Sequence, residues 1–139
     1  MAVIKTDQFP VKDEQDIVLA RQTVRRLTQE AKFTLVDQTK MVTAASELAR
    51  NTVVYGGGGV LICEVLSEDH RTGLRLTFQD QGPGIENLEL ALMDGWTSGK
   101  GLGMGLSGSK RLVNEFDIES SPGKGTRVTI TRWNQHLGR

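Results

Sequence analysis

SELARNTVVYGGGG, residues 46–59, is the stretch on which the reading of this chain turns. Small apolar residues surround a carboxylate, Glu47, and a carboxamide, Asn51, before a run of glycines begins at Gly56. Working back from the glycines, a helix fits residues 37–55, capped by Asp37 and stopped at Gly56. Side chains four residues apart project from one face of a helix, so Glu47 and Asn51 point the same way. Taken alone, a Glu and an Asn on a helix are ordinary solvated residues. What they face decides whether they form a site.

The 139 residues suit one compact domain over residues 1–139. Lys plus Arg equal Asp plus Glu at 17 each, so no overall field draws nucleic acid or an anionic membrane, and partners must be recognised by a site. The single cysteine, Cys63, excludes an internal disulfide framework and agrees with a reducing compartment; its expected role is a buried strand residue. Lys5 and Asp7 interrupt the apolar residues of the start, so no signal peptide is expected, and no apolar run approaches a membrane span. A soluble, cytoplasmic protein is expected. Glycine is abundant, 16 residues with most between positions 56 and 125, and such a concentration in loops suggests a ligand held by main-chain groups.

Outward from the opening stretch, residues 1–11 read as an edge strand ended by Pro10. Asp13 opens an acidic first turn, and Ile17, Leu19, Ala20, Val24, Leu27 and Ala31 recur at helical spacing to about Lys32. VLICEVLS and LRLTFQD read as strands around a turn at residues 70–73. A short helix at residues 86–93, a glycine-rich loop at 94–103 and a helix over MGLSGSKRLVNEF follow, then the strand DIESS, the turn PGKGT and the strand RVTITRW. Helices first, then strands and helices mixed, predict an α/β two-layer sandwich with helices on one face of a mixed sheet.

Two glycine signatures nearly match and fail. Gly103, Gly105 and Gly108 have dinucleotide-fingerprint spacing, but a loop precedes them where a strand must stand. GWTSGKG is one residue short of a phosphate-binding P-loop and has Gly101 in place of the Ser or Thr that binds magnesium.

Four segments in order, ELARN, DQGPG, GKGLGMGL and GKGT, resemble the N, G1, G2 and G3 boxes of the GHKL superfamily of ATPases and kinases. The resemblance implies the Bergerat fold, with ATP between the second helix and a mobile lid. By it, Asp80 accepts a hydrogen bond from the adenine amino group, and Gly82 and Gly84, flanking Pro83, turn the backbone beneath the purine. Lys100, Gly101, Leu102, Gly103, Met104, Gly105 and Leu106 approach the phosphates at the amino end of the next helix. Gly125 and Thr126 close the adenine side, although residues 123–126 also read as an ordinary hairpin turn. Asn51 resembles the residue whose side-chain oxygen ligates Mg²⁺, and Glu47 the base that orients or deprotonates the nucleophile. Arg50 is expected to pair with Glu47, with a phosphate or partner contact as the alternative.

Within the superfamily, histidine kinases carry a phosphoacceptor histidine on a preceding hairpin, and mechanical ATPases append further domains; this chain shows neither pattern. Its amino-terminal residues 16–51 and the segments DQGPGI, GLGMGLSGSKRLVNEF and GTRVTITRW resemble the RsbT-type serine/threonine switch kinases of bacterial partner-switching and stressosome systems. That likeness implies ATP and Mg²⁺ as cofactors, STAS-domain scaffold or antagonist proteins as substrates, and a PP2C-type phosphatase bound and activated on release. The same boxes also suit an anti-sigma factor kinase, or a module in which ATP only latches partner binding.

Overall fold

The computed structural model describes residues 1–93 and 104–134. Nine elements follow in order: β1 (Ala2–Val11), α1 (Glu14–Glu30), α2 (Leu35–Val54), β2 (Gly59–Glu68), β3 (Arg71–Asp80), α3 (Leu88–Ala91), α4 (Met104–Arg111), β4 (Glu115–Ser120) and β5 (Thr126–Asn134).

Helix α1 starts as its sequence dictates. The Asp13 side chain accepts a hydrogen bond from the Asp16 amide at 3.0 Å, satisfying an amide that has no helical partner. Ile17, Ala20, Val24 and Leu27 form its buried stripe, while Leu19, expected in that stripe, faces solvent. The cap of α2 differs from expectation. Thr34 is the capping residue and accepts from the Asp37 amide at 3.1 Å, which places Asp37 inside the first turn. A threonine three residues earlier performs the same chemistry, leaving the Asp37 carboxylate free for another partner. At the other end, the Gly56 amide donates to Asn51 O and the Gly58 amide to Thr52 O, taking up carbonyls the helix leaves over.

The five strands form one sheet in the order β1-β2-β3-β5-β4. Every neighbouring pair is antiparallel, which corrects the expected mixed sheet. Strand β4 does run parallel to β3, but β5 lies between them, so no parallel pair forms. Strands β2 and β3 join through Asp69 and His70, with Asp69 at φ 54°. Pro10 sits within the edge strand β1 instead of ending it, opposite Val60. The expected last helix runs too far: α4 ends at Arg111, and Glu115 and Phe116 already belong to β4. The Asn114 amide donates to Thr131 O at 3.0 Å, committing the chain to the sheet.

One core lies between the helices and one face of the sheet. Leu61, Cys63, Leu74, Leu76, Phe78, Val128 and Ile130 from the strands meet Met41, Ala44, Ala45, Leu48 and Ala49 of α2 and the stripe of α1. The expected two-layer sandwich is thus the observed architecture. Among the described residues, no helix is long and apolar enough to cross a membrane.

Cys63 is buried in this core, and removal from solvent pushes its thiol up to about 12, with the nearby Asp7 carboxylate adding to the rise. At neutral or mildly alkaline pH essentially no thiolate exists to react. A colorimetric thiol reagent should therefore leave the native protein unmodified and titrate one thiol once denaturant unfolds it. Reaction of the native chain at the rate of a free thiol would contradict the burial.

Candidate functional site

The antiparallel register brings the end of β3 and the start of β5 together near the carboxyl end of α2. There the structure has a cleft of about 810 Å³. Leu48, Phe78, Leu106 and Val128 give it an apolar wall, and Asn51, Asp80, Glu86, Asn87 and Thr126 line it with polar groups. Apolar walls with a few convergent polar groups are the composition of small-molecule sites.

Asp80, the last residue of β3, pairs with Gly59 on one side and Thr126 on the other, so its backbone is held from both directions. Its carboxylate accepts from the Gly82 amide at 2.9 Å. Burial raises its carboxyl above the ordinary range, and the Gly82 and Thr126 amides only partly offset that rise. Gly84 and Pro83 line the cleft. Gly125 is buried at φ 77°, and a Cβ there would overlap the Asp80 carbonyl oxygen, so the turn closes only around glycine.

Two contributors lie beyond the four boxes. Gly56 packs on the Asp80 side chain so closely that a Cβ would overlap the carboxylate, a contact with a distant strand that its place at the helix stop does not reveal. Ser120 fastens two loops together. Its hydroxyl donates to Gly125 O at 3.0 Å and accepts from the Ile85 amide at 2.8 Å. The 2.8 Å contact with Thr126 Oγ1 is then made with Thr126 as donor. The available signal was alternation: Phe116, Ile118 and Ser120 share one face of β4, and the serine is the polar member of that stripe.

Asn51 reaches the cleft from α2, and its Nδ2 is buried with no hydrogen-bond partner among the described residues. An unpaired buried amide is costly, and this one borders the cleft. A half-turn of the carboxamide exchanges oxygen for nitrogen at little change in shape, so the same position can present an oxygen to a cation. Glu47 lies one turn earlier, exposed to solvent, and does not line the cleft. Arg50 pairs with Glu14 at 3.4 Å and not with Glu47, so α1 and α2 are linked. Met104 and Gly105 begin α4, and Leu106 lines the cleft. Lys100, Gly101, Leu102 and Gly103, with Trp96 and Ser98, lie outside the described residues.

Among the described residues, no three His, Cys, Asp or Glu side chains gather into a metal cluster. Mg²⁺ does not require one, since it is commonly held by one or two protein oxygens together with substrate phosphates and water. Asn51 fits that donor set.

Comparison with known proteins agrees with this geometry. Residues 36–135 match the family of histidine kinase-, DNA gyrase B- and HSP90-like ATPases. The chain is 42% identical over 123 residues to the serine/threonine-protein kinase RsbT of Bacillus subtilis (strain 168), covering 88% of this chain and 92% of that one. It is 34% identical over 134 residues to an anti-sigma F factor of Clostridium acetobutylicum, covering 90% of each. In structure it is similar to the RsbU and RsbW domains of a Mycobacterium tuberculosis protein, with TM-score 0.62 and 20% identity over 92% of this chain and 32% of the other. The mycobacterial sensor histidine kinase MprB gives TM-score 0.54 and 17% identity over 92% and 97%. At such identities the structural likenesses establish the fold alone.

The position of Asp80 has a measurable consequence. Its folded pKa lies above the ordinary value of 3.8, so the folded state disfavours the ionised form. That penalty is absent below the unfolded pKa and present once pH rises through the folded one. Without nucleotide, Asp80→Asn should match or exceed wild type in melting temperature at neutral pH, and the difference should vanish as pH falls below 3.8. Calorimetry across pH tests this; a variant clearly less stable at neutral pH would contradict it.

Proposed function

This chain belongs to the family of histidine kinase-, DNA gyrase B- and HSP90-like ATPases, and from that membership we propose that it is an ATP-dependent serine/threonine protein kinase acting on a partner protein. The observation that carries the reading is the cleft that an amide unpaired among the described residues, Asn51, and a half-buried carboxylate, Asp80, line together with apolar side chains. A purine fits between Leu48, Phe78 and Val128, and Asp80 accepts from its exocyclic amine. Asn51 offers its amide oxygen to Mg²⁺, which supplies charge neutralisation at the phosphates when bound. Lys100 and the segment through Leu106 take the phosphate end, as in the resembling box.

Glu47 is the proposed base. It accepts the proton of the incoming hydroxyl as that oxygen bonds to the transferred phosphorus and the bond to the leaving oxygen breaks. Its exposure suits the role, because the hydroxyl arrives on another protein and Glu47 must be reachable from outside the cleft. Following the likeness to RsbT, the acceptor is a Ser or Thr of a STAS-domain scaffold or antagonist, and the released kinase binds and activates a PP2C-type phosphatase in a partner switch. The similarity to anti-sigma F factors supports a second reading, in which a sigma factor takes the phosphatase's place.

Intact mass of a STAS-domain partner incubated with this protein and Mg-ATP tests the activity. Wild type should add one phosphate; Glu47→Gln should retain ATP binding and slow transfer by about 10²–10⁴-fold. Asp80→Asn should weaken ATP binding itself by about tenfold or more, the loss expected when a charged hydrogen-bond acceptor is neutralised. A sigma factor captured with no phosphate added to the STAS protein would favour the second reading.

A further inference from the structure

Away from the cleft, one charged side chain joins three elements. Arg132 on β5 donates from Nη2 to Asp37 Oδ1 at 2.7 Å and from Nη1 to the carbonyl oxygen of Leu112 at 2.8 Å. Asp37 lies in the first turn of α2, and Leu112 follows the last residue of α4. The Arg132 and Asp37 side chains are only 15% and 23% exposed, so solvent screens the pair weakly. Each charge also suits its helix end, the carboxylate at the amino end of α2 and the guanidinium at the carboxyl end of α4.

Beside this clamp the turn after α4 is fastened again to β5. The Asn114 amide donates to Thr131 O at 3.0 Å, and Asn114 Oδ1 accepts from the Trp133 amide at 2.8 Å. The carboxyl end of α4 is therefore a fixed pivot. From it α4 extends back to Leu106 in the cleft, while α2 runs from Asp37 to Asn51 at the same cleft. The clamp thus ties the first turn of α2, the helix bearing Asn51, to the end of α4, the helix bearing Leu106. At 1.5 Å per residue α4 is about 12 Å long, so a tilt of about 5° at Leu112 moves its amino end by about 1 Å. A misplacement of that size costs on the order of 10²-fold in catalysis.

We infer that Arg132 is a positioning residue, which through its joint hold on Asp37 and Leu112 places the amino end of α4 against the phosphate end of the nucleotide. This rests on reading the cleft as an ATP site. It also separates two halves of that site. The adenine half takes its polar groups from Asp80, Gly82 and Thr126, none of which bonds to the clamp, and its apolar walls from Leu48, Phe78 and Val128, which the core packing holds. Loss of the clamp should therefore weaken recognition of phosphates and spare recognition of the base.

Arg132→Lys is the variant of choice, because an ammonium keeps the charge but lacks the planar fork that holds both acceptors at once. Affinities for Mg-ATP and for AMP are measured on the full chain by competition against a fluorescent ATP analogue. The expected result is an ATP affinity lowered about tenfold or more with AMP affinity unchanged, a split produced by displacement of the phosphate end alone. Equal loss for both nucleotides, or no loss for either while wild type binds both, overturns the positioning role. Wild type that binds neither nucleotide overturns it through the reading of the cleft instead. Should Arg132→Lys fail to fold cooperatively, Asp37→Asn, which leaves the Leu112 bond in place, should show the same ATP-against-AMP split; equal affinities there would also overturn the inference.

Discussion

The arrangement depends on α2 lying flat against the sheet. Met41, Ala44, Ala45, Leu48 and Ala49 are fully or almost fully buried, and three of the five are alanines. Small side chains let the helix axis approach the strands, so Leu48 meets the core while Asn51, less than one turn on, reaches past it into the cleft. Thr52 resolves the remaining polarity locally, its hydroxyl donating to Leu48 O at 2.9 Å. Apolar burial of this kind is the dominant favourable term in folding, and here it also delivers the polar end of the helix to the site. A helix held less closely would leave Asn51 in solvent.

At the site, stability and binding pull against each other. Asp80 is held by backbone pairing on both sides, with Gly56 and Gly125 pressed against it, and burial raises the cost of its charge. Neutral asparagine would suit the apo fold as well or better. A carboxylate kept there against that cost is consistent with the proposed recognition of an amino group. Asn51 likewise carries a cost, its buried amide having no hydrogen-bond partner among the described residues.

The ion pairs divide along similar lines. Lys5–Glu30, Arg26–Glu30 and Arg50–Glu14 are solvent-exposed and contribute little to stability. Arg132–Asp37 is largely enclosed, with the second Nη of the guanidinium on Leu112 O, so removing one partner strands a buried charge. With overall charge balanced, it is the placement of such pairs, not their number, that shapes the molecule.

Much of this was legible in the chain. The periodicity of α1, the strands, the glycine stop of α2, and the positions of Glu47, Asn51 and Asp80 all have local signatures, because hydrophobic period and turn chemistry act over a few residues. Element ends were less legible: Thr34 and Asp37 are chemically equivalent caps, and only the backbone decides which is used. The strand directions depended on β5 entering between β3 and β4, a choice no single segment contains. Gly56 against Asp80, Ser120 between two loops, and Arg132 on Asp37, 95 residues apart, are tertiary facts. Sequence by itself determined which residues could do chemistry, since that is a property of residue type and spacing. Tertiary structure alone decided which of them meet, since contacts between distant segments arise from the packing of whole elements.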